Sequence, residues 1–442
     1  MIYILYYLNK VLLTNKLLGK YLFNLIIMKN IKATQESIKE HNIGLILRNI
    51  KEGDQITRIM LSKITGLAKS TVSDLVNFLI GKKVIFEDRK AESEIGKKPM
   101  LLKFNKNYLF IAAIDIGIEI ITAAVVNSFG EIVCKFSKKN YPRNNRDQIL
   151  NNIFSAIDKL LKTSGISLKK IYLFSVGTHG VVDPNSKIVT HAPYLPNWSG
   201  IDLVKIFKEK YKKEVIPENS VNLGAIGEQW NSFKDINDLV YLDINHGVGA
   251  GIIIDNKIVT GKTGAMGEIS YLPVLKQYDY KKLKENKLEL GLFESQVDAI
   301  GIVNTVKEKF KEHDKSKKYG FFKNINEINF DAICKYYNND SDNFIKDLIN
   351  NETIDTLAIG LASIISILDT ELIIINGDIL KLGNQFIEKL KTVIYNITPF
   401  KPKIVVSELK KDAHIIGAIK NGIDNLNNLL YNQFLSSFKQ IT

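Results

Sequence analysis

The chain has 442 residues, 45% of them hydrophobic, which is too long for one small core and fits two or three globular domains, not a disordered polymer. Its 60 Lys and Arg against 47 Asp and Glu give a net charge of +13, which favours a polyanionic partner, although Lys, Asn and Ile abound throughout and a general bias yields the same excess. Two cysteines, Cys134 and Cys334, exclude a disulfide framework and an all-cysteine zinc site, and they fit a reducing cytoplasm.

Residues 1–27 are apolar, but Lys10, Lys16 and Lys20 break them into runs shorter than the roughly 18–20 residues of a spanning helix. No small-residue cleavage site follows, so neither a membrane anchor nor a signal peptide is expected. Met28 opens a polar, helix-compatible stretch, and residues 1–27 are read as an extension from a misassigned start codon. Over 28–104 the pattern predicts a winged helix-turn-helix, whose core runs from residue 43. Ile43, Ile46, Leu47 and Ile50 recur at helical spacing, and a turn signal at EGDQ ends that helix. Thr57 can cap RIMLSKIT, Gly66 can stop it, and KSTVSDLVNFLIG follows with Val72, Leu75, Val76 and Leu79 on one stripe and Gly81 placed to end it. Two short apolar strands, VIFE and MLLKF, flank a charged tip.

From Tyr108 the texture changes to strands alternating with helices, which predicts an α/β domain in two lobes over 108–425, followed by a tail at 426–442. LFIAAIDIG, IYLFSVG, LVYLDINHG, GAGIIIDNKIV and ELIIING read as strands. DQILNNIFSAIDKLLKTS and IDTLAIGLASIISILDT read as helices. The two Asp-centred hairpins, at Asp115 and Asp243, suit two similar halves. Residues 276–290 and 307–345 are rich in Lys and Asn and read as surface insertions, and KEKFKEHDKSKK as a solvated helix face.

A recognition helix needs an apolar rear and short polar side chains in front, because the front must approach base edges in the major groove. Residues 69–80 supply both. Ser70, Thr71, Ser73 and Asn77 project forward, Lys63 and Lys69 lie where phosphates are reached, and Lys97 and Lys98 sit on the wing around Gly96. Asn77 is the residue suited to reading adenine. Residues 28–107 hold 16 Lys and Arg against 9 Asp and Glu, so +7 of the +13 lies in under a fifth of the chain. Double-stranded DNA is the expected partner of this segment.

The segments AIDIG, VGTHGVVDPNSKIVTHAPYLPNW, PENSVNLGAIGE, GVGAGIIIDNKIVTGKTGAMGEI and LDTELIIINGDIL, in that order, resemble the ROK family of repressors, open reading frames and kinases. The N-terminal module, with its KSTVS and GKKP, resembles the repressor branch, similar to xylose and N-acetylglucosamine repressors. The resemblance implies an actin/hexokinase-like (ribonuclease H-like) effector and dimerisation domain. In the family's kinases a glycine-rich Asp-x-Gly-Gly-Thr turn approaches the phosphates, whereas here Asp115 and Gly117 are followed by Ile118 and Glu119. The kinase base is the Asp of Asn-Asp-x-Asn, and the matching residues here are Asn219, Ser220, Val221 and Asn222; a serine hydroxyl cannot serve as that base at neutral pH. Asn376-Gly377 replaces a Gly-Gly pair.

Kinase chemistry is therefore expected to be lost, with no catalytic residues and no cofactor. The family's structural zinc site is not expected, because Tyr271 replaces its His and no cysteine lies between it and Glu294. Asn219, Glu268 and Glu294 match the family's sugar-hydroxyl contacts, with Ser220 and Tyr271 as altered members. His179 and His191 read as structural or solvated, and His246, beside Gly247-Val248-Gly249, is placed to help retain a small anion. The expectation is a cytoplasmic, sugar-responsive repressor of carbohydrate-utilisation genes, such as those for xylose, binding a palindromic operator as a homodimer or homotetramer without any membrane association. A hexose-phosphorylating ROK kinase is the alternative, and a ligand-independent dimerisation scaffold a third.

Overall fold

The computed structural model describes residues 34–90, 99–140, 145–274, 291–313, 322, 324–339 and 343–435. The chain divides into two compact units, Met1–Asn105 with Asn427–Thr442, and Lys106–Leu426.

In the smaller unit, helix α1 (Gln35–Glu52) is capped by Thr34 and buries Ile43, Ile46, Leu47 and Ile50. Helix α2 (Arg58–Thr65) begins where the Thr57 hydroxyl accepts from the Met60 amide at 3.3 Å, and it ends at Gly66, whose φ of 71° is the left-handed conformation that glycine reaches without strain. Helix α3 (Lys69–Gly81) buries Val72, Leu75, Val76 and Leu79. It ends at Gly81, as read, and the left-handed residue that follows is Lys83, at φ 61°. Strands β1 (Ile85–Lys90) and β2 (Met100–Phe104) pair antiparallel, Ile85 opposite Phe104, and complete the wing. Its tip, with Lys97 and Lys98, lies outside the described residues. The Arg48 guanidinium stacks 4.9 Å from the Tyr431 ring centroid, and the Leu435 amide donates to Glu40, so Tyr431 and Leu435 pack into this unit.

The larger unit contains two five-stranded sheets of the same pattern. In the first, β3 (Phe110–Ile116), β4 (Ile120–Asn127) and β5 (Ile132–Lys139) form an antiparallel meander, and β6 (Ile171–Thr178) and β9 (Glu214–Asn219) extend it in parallel, in the order β5-β4-β3-β6-β9. Helices α4 (Arg146–Ser164) and α5 (Leu203–Tyr211) cover it around Trp198, Phe174 and Phe207, and a short hairpin, β7 (Val181–Val182) with β8 (Val189–His191), follows β6. The second sheet has the order β12-β11-β10-β13-β14, built from β10 (Leu239–Ile244), β11 (Val248–Ile254), β12 (Lys257–Ile258), β13 (Leu372–Asn376) and β14 (Lys403–Val406). Here β10 and β11 are antiparallel, and β13 and β14 join in parallel. Strands β3, β10 and β13 are buried along their whole length, which explains their unbroken apolar runs.

Helix α6 (Ser220–Asn231) starts directly from β9. The second lobe adds α7 (Glu294–Val297), α8 (Ala299–His313), α9 (Phe330–Asn338), α10 (Asn343–Leu348), α11 (Asp355–Leu368) and α12 (Gly383–Ile397), and α13 (Ala413–Asn432) closes the chain. The reading of 307–345 as surface insertion is corrected: Phe322, Ile328, Ile333, Cys334 and Tyr337 are buried in the second lobe's core. Within this Lys- and Asn-rich stretch, α9 carries an apolar stripe of Ile333, Cys334 and Tyr337 at helical spacing. Among the described residues one stretch, Phe344–Leu368, is long and apolar enough by composition to cross a membrane, with a mean hydropathy of 1.3, but 56% of that window is buried within the fold. Its apolarity is that of a core helix.

Candidate functional site

The smaller unit presents the expected DNA-facing set on α2 and α3. Lys63, Lys69, Ser70 and Asn77 are exposed, whereas Thr71 and Ser73 are half-buried. Ser73 is the exception to its expected role: its hydroxyl accepts from the Arg58 guanidinium at 3.1 Å, and Arg58 also pairs with Glu87 at 2.9 Å, so Ser73 helps tie α2, α3 and β1 together.

In the larger unit, Asn219, Ser220, Glu268, Tyr271 and Glu294 all line one cavity of about 630 Å³. Five residues scattered over the sequence thus converge because β9, the turn after β12 and α7 end at the same cleft. Asn219 caps α6, accepting from the Val221 amide at 2.7 Å while its own amide donates to the Gly180 carbonyl at 3.1 Å. The Ser220 hydroxyl donates to Asp115 Oδ1 at 2.7 Å. Tyr271 is partly exposed at the rim, its hydroxyl 2.6 Å from His191 Nε2. Glu294 accepts from the Tyr194 hydroxyl and, at 3.0 Å, from the Val248 amide, so both its oxygens are engaged before any ligand arrives. Glu268 is the freer carboxylate. Burial, reinforced by the charge of Glu294, pushes its pKa up to about 7. Burial likewise raises Asp298 to about 7, and Glu294 moves in the same direction for the same reason.

At the floor of the cavity, Asp115 ends β3 and Asp243 ends β10, equivalent places in the two sheets. Asn376 and Asn245 both donate to Asp243 Oδ1, at 2.9 and 2.8 Å, so the Asn that replaces a glycine anchors this carboxylate. Between the two carboxylates stands His414. Its Nε2 approaches Asp243 Oδ2 at 3.2 Å and its Nδ1 approaches Asp115 Oδ2 at 3.6 Å. The Nε2 contact lies off the hydrogen-bond direction, so it is a close charge pairing. Burial alone would depress the imidazole, but Asp243 and Asp115 override it and hold the pKa at about 10. His179 goes the other way, depressed by burial to about 4 despite the same two carboxylates, so it is neutral. His246 Nε2 lies 3.3 Å from Glu119 Oε1 at the edge of the cavity. Among the described residues no group of three or more His, Cys, Asp or Glu is placed to hold a metal ion.

Tyr194, Asp298 and His414 were not singled out from the sequence. Tyr194 lies within the family-like segment at 176–198, which is the signal that could have found it. For His414 there was none, because a His after a charged Lys-Lys-Asp turn has no local pattern.

Two lobes of matching sheet topology on either side of the cavity define an actin/hexokinase-like fold, in a chain that also carries a winged helix-turn-helix. The ROK family model matches residues 111–284. A xylose repressor from Caldicellulosiruptor bescii is 29% identical over 88% of this chain and 97% of its own length. One from Bacillus subtilis is 32% identical over 55% of this chain and 62% of its own length. The solved structure of a ROK family transcriptional regulator, described as a homologue of the E. coli MLC protein, covers 90% of this chain and 100% of that one at 21% identity and a TM-score of 0.69. A ROK glucokinase from Streptomyces griseus, solved with glucose and AMPPNP, covers 71% of this chain and 99% of that one at 21% identity and a TM-score of 0.57. The chain carries a ROK family domain over residues 111–284.

Proposed function

We propose that this protein is a transcriptional repressor of sugar-utilisation genes, and that its kinase-like cavity serves as a sensor for xylose or a related free sugar. The observation that carries the reading is one chain holding both a winged helix-turn-helix and a cavity lined by Asn219, Glu268 and Glu294. Ser220 stands where the family's kinases hold their base, and it is committed as a donor to Asp115. The relatives named as xylose repressors support the effector class.

Base contacts are assigned to Ser70, Thr71 and Asn77, phosphate contacts to Lys63, Lys69, Lys97 and Lys98, and a stabilising position behind the helix to Ser73. Paired recognition helices require two copies and a palindromic operator, in a homodimer or homotetramer acting in the cytoplasm. Sugar control requires the ligand to bind the DNA-free and DNA-bound states with different affinity.

Mobility shift with the DNA upstream of the protein's own gene, with and without D-xylose, tests this reading. Absence of binding at low salt removes the regulator reading. The glucokinase likeness keeps a kinase as the competing one, and turnover at ordinary kinase rates in an ATP-coupled assay with xylose or hexoses would establish it.

A further inference from the structure

The imidazole of His414 sits between the two carboxylates that end the central strands of the two sheets, and nothing in the sugar-sensing reading uses it. Asp115 and Asp243 are both buried, each at the last turn of an apolar strand. Two buried carboxylates facing one cleft repel each other and are poorly hydrated, and such a pair is stable only with a cation or a proton between them. The remaining oxygens already have neutral donors: Ser220 on Asp115, and Asn245 and Asn376 on Asp243. None of these brings charge.

His414, on the first turn of α13, is the group that does. Its place is built, because Gly224 on α6 faces it and a Cβ there would collide with the Tyr241 ring and lie 3.0 Å from His414 Cδ2. The Tyr241 ring meets the imidazole edge-on, at 6.3 Å between centroids and 80° between planes. The charged and titratable groups facing the ring are Asp115 from β3, Asp243 and Tyr241 from β10, and His179 from the loop after β6. Lys410, Lys411 and Asp412 precede it on its own segment, with Asp412 paired to Lys135.

We propose that His414 is the cleft's resident counter-cation: as imidazolium it ties the first sheet at Asp115 to the second at Asp243, and it fills the place that a divalent cation or a polyphosphate would need at that end of the cavity. It is a positioning residue, acting on the two lobes through the two carboxylates. The inference deepens the reading of the cavity as a sensor, but its test uses neither DNA nor sugar, so either can fail while the other stands.

The sign of the pH effect follows from the raised pKa. A histidine held at about 10 in the fold, against about 6.5 when unfolded, contributes stability that is complete below 6.5 and is lost as pH rises towards 10. Thermal unfolding of the full chain and of His414→Gln, measured from about pH 6 to about pH 10, reads it. The expected result is a Tm gap between the two proteins that is widest near pH 6 and closes towards pH 10. A gap independent of pH would overturn the proposal, since a merely space-filling histidine gives that.

Should His414→Gln fail to fold, nitrogen-15 histidine spectra of the wild-type protein at about pH 8 decide instead. One of the six histidines remaining doubly protonated there supports the clasp, and six neutral rings contradict it. Where the variants fold, a double-mutant cycle between Asp115→Asn and Asp243→Asn adds a second readout. Coupling present in the wild-type background and absent in His414→Gln is expected, and coupling unchanged by the histidine refutes the bridge.

Discussion

Replacing Glu268 by Gln tests how the cavity would hold a sugar. In the free protein this carboxyl has a pKa of about 7, raised by burial and by Glu294, and among the described residues no donor reaches its oxygens. It is therefore about one-tenth ionised near pH 6 and about nine-tenths ionised near pH 8. A carboxylate accepts hydroxyl hydrogens through charge-assisted bonds that a neutral acid cannot match. If only the ionised form binds, the apparent dissociation constant scales inversely with the ionised fraction, and affinity for D-xylose rises about tenfold across that range. Gln keeps the shape and removes both the charge and the titration. Near pH 8 its binding should be weaker by the roughly 1.5–3 kcal/mol of a hydrogen bond to a charged group, with no pH dependence left over this range. Asp298 titrates in the same region, but it accepts from the Gly301 amide at 2.6 Å and does not line the cavity, so it is not expected to add to the slope. Isothermal calorimetry in two buffers of different ionisation enthalpy reads both the affinity and the proton released. Wild-type binding that is flat with pH, or a slope that persists in the variant, refutes the reasoning.

Other outcomes follow from the same geometry. Asn77→Ala should relax base preference, whereas Lys69→Ala should weaken binding to specific and random DNA alike and lower the salt dependence; fluorescence anisotropy on both DNAs at several salt concentrations separates them. Thr57→Ala removes the cap of α2 and should cost about 1 kcal/mol, measurable as a lower midpoint in urea unfolding of the full chain. Gly224→Ala drives a methyl into the Tyr241 ring and should destabilise by about 1–3 kcal/mol; an unchanged Tm would mean that the floor of the cleft is looser than its packing indicates.

Most of the smaller unit was legible in the sequence because its signals are local. Thr57, Gly66 and the stripe Val72, Leu75, Val76, Leu79 each act within one or two helical turns, and the structure places them as read. Helix α3 ends at Gly81 as read, and Lys83 takes the left-handed turn that follows. In the larger unit the all-buried strands announced themselves through nearly continuous apolar runs, FIAAI, LVYL and LIII. The gathering of Asn219, Glu268 and Glu294 around one cavity, by contrast, was implied only by family resemblance, because no spacing rule joins positions on β9, in the turn after β12 and on α7. Two kinds of information escaped. The core role of Ile333, Cys334 and Tyr337 was masked by a Lys- and Asn-rich neighbourhood, since composition averages over both faces of a helix. His414 escaped because its importance comes from two carboxylates brought to it by two different sheets, which only the tertiary fold supplies.

The central claim joins the two units through one ligand, so it is tested most directly by titrating D-xylose into the full-length protein bound to fluorescent DNA from its own upstream region. The expected result is tight binding without sugar and release at a xylose concentration that Glu268→Gln shifts upward near pH 8. DNA affinity that does not respond to xylose or other free sugars, or phosphorylation of the sugar when ATP is supplied, contradicts it.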